Sequence, residues 1–411
     1  MAAVNRVVVT GMAGISALGC NWQQVQRAFA EGQSAVRRME QWSRFADLNT
    51  RLAAPVTDFA PPAHWTRKQL RSMGRVSQMA VRAAELALAD GGLLGNPAIS
   101  DGRMGVACGS STGSTEDVCT FAKMQLQGVA EGLNANSYVR MMPHTTAANI
   151  GIFFELKGRI IPTSSACTSG SQGIGYAYEA IRYGKQALML AGGAEELCAS
   201  EAMVFDALYA TSLCNDAPHS TPRPYDKSRD GLVIGEGAGM LLLESLEHAR
   251  QRGARIHAEI VGFGSNSDGA HITRPQATTM TRAMQLALED AQLAPADIGY
   301  VNGHGTATEQ GDIAETSATY ALFGSGMPIS SQKSYLGHTL GACGALESWF
   351  CIEMLKNNWY APTLNLKEVD PRCAELDYLT KPREMQLEFV MNNNFAFGGI
   401  NTSLILKRWQ D

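Results

Sequence analysis

Long apolar runs are missing from this chain. Stretches such as Ala238–Leu243 fall far short of the roughly 20 residues that cross a bilayer, so no helical membrane anchor is expected. Charge is sparse too: 18% of the 411 residues carry it, and the net value of −5 leaves no basic excess for general nucleic-acid binding. The nine cysteines have neither metal-ligand spacing nor the pattern of a disulfide framework; they fit reduced thiols in a cytoplasmic protein with no metal. No secretory leader is read, because Met1–Arg6 runs directly into the strand-like Val7–Thr10. No disordered linker or short-period repeat breaks the chain. The glycine-rich stretches Gly109–Gly113 and Gly262–Asn266 complete neither a Walker nor a dinucleotide fingerprint and read as tight turns.

What is present is a nucleophile-like turn. Thr163–Gly170 is entered from the β-prone Arg159–Pro162 and left through a small-residue segment of helical spacing, Gly170–Arg182. It holds one cysteine, Cys167, where backbone N–H groups and a helix N-terminus favour a thiolate and small neighbours admit a carbonyl. A cysteine there can equally be inert, packing as a small hydrophobe. Two later segments weigh against inertness. Tyr300–Glu315 contains Gly303-His304-Gly305, and Ser331–Glu347 contains Gly337-His338. In each, glycine lets the chain turn sharply and leaves the imidazole open to a pocket. A lone histidine is usually structural; two in matching contexts beside an elbow cysteine point to one site.

Strand-like and helix-like segments alternate, which argues for an α/β architecture. Arg6–Thr10, a helix at Trp22–Phe29 and Leu188–Ala191 belong to a first series. Arg255–Phe263, a helix at Met280–Glu289 and the strand before His304 belong to a second. Two related halves are expected, 1–252 and 253–411, joined near Ala249–Gly253. Gly32–Pro62 and Met124–Met142 show little periodicity and read as surface excursions.

The ordered set of Cys167, His304-Gly-Thr306, Lys333-Ser-x-x-Gly-His338 and Phe397-Gly-Gly-x-Asn401 resembles the β-ketoacyl-acyl carrier protein synthases, above all the type II elongating enzymes of fatty-acid and polyketide synthesis. The resemblance also covers Val8–Met12, Ala191–Glu195, Arg223–Lys227 and Gly235–Gly239, and so nearly the whole chain. It implies the thiolase fold, a duplicated five-layer α-β-α-β-α unit, and decarboxylative condensation of an enzyme-bound acyl thioester with a malonyl thioester. That reaction needs a nucleophile to hold the acyl chain, donors for an enolate and an oxyanion hole. Cys167 fits the first role and His304 and His338 the second. The resemblance implies that backbone N–H groups of Cys167 and Phe397 form the third.

Lys333 reads most simply as the salt-bridge partner of Glu347, supporting the histidines, with Glu347 and Asp312 as scaffold. Thr306 and Thr308 can satisfy local backbone; the resemblance implies that they hold the phosphopantetheine arm, with Phe395, Phe397 and Leu232 shaping the substrate site. It implies an acyl carrier protein as partner and a homodimer, with a heterodimer containing a chain-length factor as the alternative. The only cofactor expected is the phosphopantetheine on the carrier. Arg67, Lys68 and Arg71, in a local basic cluster reaching Arg75, are either a solvated helix face or the carrier dock.

Two positions depart from the family pattern. Leu232 stands where phenylalanine is frequent, and Ala396 where glycine is common in a gate loop. Both lean towards a specialised polyketide or aryl-polyene pathway. A thiolase would pair its elbow cysteine with one histidine and a second catalytic cysteine. An initiating synthase would show Cys-His-Asn, and a chain-length factor would lack the cysteine.

Overall fold

The computed structural model describes residues 4–410. Ten strands carry its plan. They are β1 (Val7–Ser16), β2 (Met104–Gly109), β3 (Ile160–Pro162), β4 (Leu188–Glu195) and β5 (Gly237–Ser245), then β6 (Ala258–Ser267), β7 (Ile298–Asn302), β8 (Pro328–Ser330), β9 (Phe389–Ala396) and β10 (Ile400–Arg408). The first five lie in the order β3-β2-β4-β5-β1 and the second five in the order β8-β7-β9-β10-β6, which is the same plan twice. The directions repeat as well: β2 is parallel to β3 and β4, as β7 is to β8 and β9, and the remaining pairs are antiparallel. The two five-strand units are continuous in hydrogen bonding: Val7–Val9 of β1 pairs with Ala258–Ile260 of β6, and Asp377–Tyr378 adds an eleventh strand beside β8.

Helices separate and flank these sheets. Two outer helices, α1 (Arg75–Asp90) and α2 (Thr145–Phe153), cover the first sheet. Helices α3 (Ser169–Arg182) and α6 (Cys343–Asn357) fill the middle, while α4 (Ala277–Ala291) and α5 (Glu309–Phe323) lie on the far side. This is the expected α-β-α-β-α stack. It explains why all ten residues of β1 are buried: a strand covered on both faces shows no alternation. The middle layer is tight because it is built of small residues. A Cβ on Gly173 would lie 2.7 Å from the Gly192 carbonyl, and one on Gly344 would lie 2.7 Å from the Ser171 nitrogen.

Of the two segments read as surface excursions, 124–142 does lie at the surface, with Ser137 its single buried residue, whereas 32–62 is partly built into the core. Within 32–62, the residues Val36, Trp42, Leu48 and Leu52–Ala54 are buried, and Leu52–Ala54 pairs with Ile234–Gly235 in a small separate sheet. The stretch 124–142 contains the end of a helix, Thr115–Gln127, and the whole of another, Ala135–Met141. No helix among the described residues is long and apolar enough to cross a membrane.

Candidate active site

Cys167 lies in a single 3-10 turn, Ala166–Thr168, between β3 and the start of α3. The preceding residue, Ala166, is held at φ 50°, a left-handed conformation costly for a residue with a Cβ. Hydroxyls brace the turn. The Ser169 Oγ accepts from the Ser165 N–H (3.0 Å), Thr168 Oγ1 donates to the Ser165 carbonyl (2.7 Å), and Thr163 Oγ1 donates to the Ser169 carbonyl (2.8 Å). The hydroxyls of Thr163, Thr168 and Ser169 are thereby explained by backbone satisfaction, while the buried Ser165 Oγ has no partner among the described residues.

Both histidines reach this sulfur from the second half. His338 follows a short helix, Lys333–Leu336, and its Nε2 lies 3.0 Å from Cys167 Sγ. Its Nδ1 accepts the Leu340 N–H at 3.2 Å, so in the neutral ring the proton sits on Nε2 and points at the sulfur. His304 stands edge-on to it, ring centroids 5.2 Å apart, and 6.2 Å from the ring of Phe395. Burial first, and then the Lys333 ammonium, holds both imidazoles well below the usual histidine range; His338 adds to the effect on His304.

The cysteine departs from expectation. Burial pushes its thiol up to about 11, against the pull of Lys333 and of the Phe397 and Cys167 N–H groups that face the sulfur. In this closed site desolvation outweighs the helix N-terminus invoked from the sequence, and the resting group is a thiol.

Lys333 and Glu347 form the anticipated pair, Nζ to Oε1 2.5 Å, both nearly inaccessible. Burial disfavours the ammonium, but the Glu347 carboxylate more than compensates and holds Lys333 above its usual range. Asn394 donates to the other Glu347 oxygen at 2.7 Å. The pair lies behind the pocket wall, not in it.

Cys167, His304, His338, Thr306, Thr308, Asp312, Leu232, Phe395 and Phe397 all line one pocket of 410 Å³. The hydroxyls of Thr306 and Thr308 are 2.9 Å apart. Asp312 accepts the Tyr225 N–H (2.7 Å) and faces Arg229 (3.4 Å), which also pairs with Asp370. Leu232 packs in an apolar cluster with Phe205 and Phe397, whose ring centroids lie 5.1 Å apart at a tilt of 49°. The gate turn carries its left-handed residues at Gly398 and Gly399, so Ala396 costs it no strain. Arg67, Lys68 and Arg71 are exposed and outside the pocket lining, while Arg75 is drawn to Glu236 at 2.8 Å and leaves the cluster.

Several site residues had no separate signal in the sequence. Glu315 accepts the His304 and Gly305 N–H groups (2.5 and 2.7 Å), and burial raises its carboxyl to about 7. Glu195 takes N–H bonds from Ser111 and Gly341. Ala307 and Leu340, like Ala166, have positive φ, so each of the three site loops contains a strained non-glycine residue. The sulfur and one nitrogen of each histidine lie within 4.8 Å of one another. A soft metal fits that spacing, but the Nε2 lone pair of His338 is occupied by its proton while Leu340 holds Nδ1.

Comparison with known proteins agrees with this geometry. Residues 4–249 match the family described as "Beta-ketoacyl synthase, N-terminal domain" and residues 257–367 match "Beta-ketoacyl synthase, C-terminal domain". The chain is 36% identical to 3-oxoacyl-[acyl-carrier-protein] synthase 1 of Escherichia coli K12, over 99% of this chain and 100% of that one. A crystal structure of a beta-ketoacyl synthase from Burkholderia phymatum STM815 is 64% identical, with TM-score 0.98, covering 99% of this chain and 100% of the other. The ishigamide ketosynthase/chain length factor is 32% identical with TM-score 0.89, again over 99% and 100%.

Proposed function

This chain belongs to the beta-ketoacyl synthase family, and we propose that it extends an acyl chain on Cys167 by decarboxylative condensation with malonyl-acyl carrier protein. The observation that carries the reading is the trio at the pocket floor: a sulfur at an elbow, a protonated Nε2 3.0 Å away and a second imidazole beside it.

Cys167 attacks the incoming acyl thioester; its carbon–sulfur bond to pantetheine breaks, and the thiol proton passes to the departing sulfur. The N–H groups of Phe397 and Cys167 hold the tetrahedral oxyanion. A malonyl thioester then enters, and its carboxylate leaves as carbon dioxide. The bonding electrons move into an enolate whose oxygen takes hydrogen bonds from His338 Nε2–H and from His304. Both rings are neutral, so they stabilise this charge as hydrogen-bond donors. The enolate carbon attacks acyl-Cys167, the carbon–sulfur bond to Cys167 breaks, and the departing sulfur takes a proton from solvent. Lys333 positions the histidines and keeps their ring protons the operative ones. Thr306 and Thr308 hold the phosphopantetheine arm of the carrier, which brings the only cofactor. Asp312 and Glu315 fix the His304 loop.

The thiolase reading loses support from Cys343. This second cysteine is buried, donates to the Cys167 carbonyl at 3.2 Å, and is held well above the usual thiol range by burial. It bonds backbone and serves no open pocket. We assign the halves as 1–252 and 253–411 and the protein to the cytoplasm. The partner subunit is a second copy, with a chain-length factor as the alternative suggested by the ishigamide assembly.

The test is incubation with acyl carrier thioester, followed by peptide mass mapping and addition of malonyl carrier protein. The expected results are an acyl adduct on Cys167 and then a β-ketoacyl carrier product with release of carbon dioxide. An adduct on another cysteine with Cys167 free removes the reading.

A further inference from the structure

The buried helix α6 links the pocket floor to a second cleft. It starts at Cys343, against the Cys167 carbonyl, and carries Lys356 near its other end, about 20 Å along the axis. There a cleft of 690 Å³ opens where β6 begins and β10 ends. Among the described residues, Arg250, Arg255, Lys356 and Arg408 line it beside His257 and Trp409, and no acidic side chain does.

The protein orients most of these cations from behind. Asp90 pairs with Arg255 through one oxygen and accepts His257 Nε2–H at 2.8 Å through the other. The Nδ1 of His257 in turn faces Lys356 Nζ at 3.2 Å, so this buried ring links Asp90 to Lys356. Lys356 also meets Glu353 at 3.2 Å. Arg408 is fixed by the Leu387 carbonyl (2.8 Å) and Asn358 Oδ1 (2.5 Å). Arg250 has no side-chain partner among the described residues. Among the described residues, four permanent cations meet the two carboxylates Asp90 and Glu353, which leaves two positive charges unmatched there. Three of the four are guanidinium groups, whose planar forks suit tetrahedral phosphoryl oxygens.

We propose that this cleft is a binding site for a dianionic phosphoryl group, separate from the catalytic pocket. Free phosphate or pyrophosphate and the terminal phosphate of a nucleotide share that chemistry.

The whole enzyme is titrated calorimetrically with pyrophosphate and with ADP at constant ionic strength. Saturable binding at one site per chain is expected, weakened about tenfold or more by Arg250→Ala, and lost in Arg250→Ala/Lys356→Ala. Arg250 is exposed and has no side-chain partner among the described residues, so its variant should keep the wild-type melting temperature and condensation rate. Alkylating Cys167 should leave the binding unchanged. Tighter binding of ADP than of pyrophosphate assigns a nucleotide; the reverse assigns the inorganic anion. Binding that chloride or acetate abolishes at the same ionic strength, that survives the double variant, or that disappears on alkylation overturns the proposal.

Discussion

A histidine whose Nδ1 already accepts a backbone N–H has only a proton to offer at Nε2. That constraint separates two roles at His338: it can donate to sulfur or to an enolate oxygen, and it cannot take the thiol proton from Cys167 while Leu340 stays in place. Removing the ring should spare the cysteine as a nucleophile and damage decarboxylation. In His338→Ala, release of carbon dioxide from labelled malonyl carrier protein should fall ~100–1000-fold, the usual loss for one oxyanion-type donor, while iodoacetamide still alkylates Cys167. Near-normal release would take His338 out of the mechanism. The pair also shapes stability. Folded, both rings stay neutral far below 6.5, where the unfolded chain protonates them. Below that value the unfolded state binds more protons, so stability falls as pH falls. The slope is about 1.4 kcal/mol per histidine for each pH unit until the depressed folded value is reached. Denaturant unfolding of wild type and His304→Ala/His338→Ala, at neutral and mildly acidic pH, should show a shallower acid loss in the variant. Equal losses would mean that the folded rings titrate normally.

At the scale of elements, the crossing of α3 and α6 sets the distance between the cysteine and the histidines. Gly344 faces the Ser171 backbone nitrogen, which cannot move aside without shifting the turn that holds Cys167. Gly344→Ala should therefore cost about 1–3 kcal/mol in denaturant unfolding, as overpacking does, and should also slow acylation of Cys167. Stability loss with unchanged acylation would show that the layer yields elsewhere. The strand–turn–helix around Cys167 was legible in the sequence because small residues and β-branched residues are segregated there. Both histidine loops were legible through their glycines. The 124–142 stretch was not, and its side chains say why. Leu126, Val129 and Tyr138 point outward at 85%, 47% and 54% exposure, so apolar residues sit on the solvent side and the helical period is blurred. Nor was 32–62, because its strand pairs with residues 234–235 and its buried side chains follow that distant partner, not a local period. Glu315 was hidden for a related reason: its role is to receive backbone N–H groups, which no side-chain pattern announces.

The molecule as a whole repeats one five-strand plan and divides the pocket between the two units, with Cys167 in the first and both histidines in the second. Such a floor is reached only through a deep pocket, and a substrate on a long arm leaves its carrier outside. The outer surface must therefore contribute to recognition. Arg67, Lys68 and Arg71 are exposed at a short helix, Arg67–Leu70, whose start is fixed by a capping box of Thr66 and Gln69. Arg75 is excluded from this patch because Glu236 has claimed it, so the patch comprises three charges. If they steer an acidic carrier, changing all three to glutamate should raise KM for carrier-bound substrates far more than for short pantetheine thioesters. Those small substrates meet only the pocket with Thr306 and Thr308. The wild-type advantage should also shrink with added salt, since the Debye length is ~8 Å at physiological ionic strength. Surface charges so exposed contribute little to folding, so the triple variant should unfold near the wild-type midpoint. Equal losses for carrier-bound and free pantetheine substrates, or a loss insensitive to salt, would remove these residues from docking and leave them a solvated helix face.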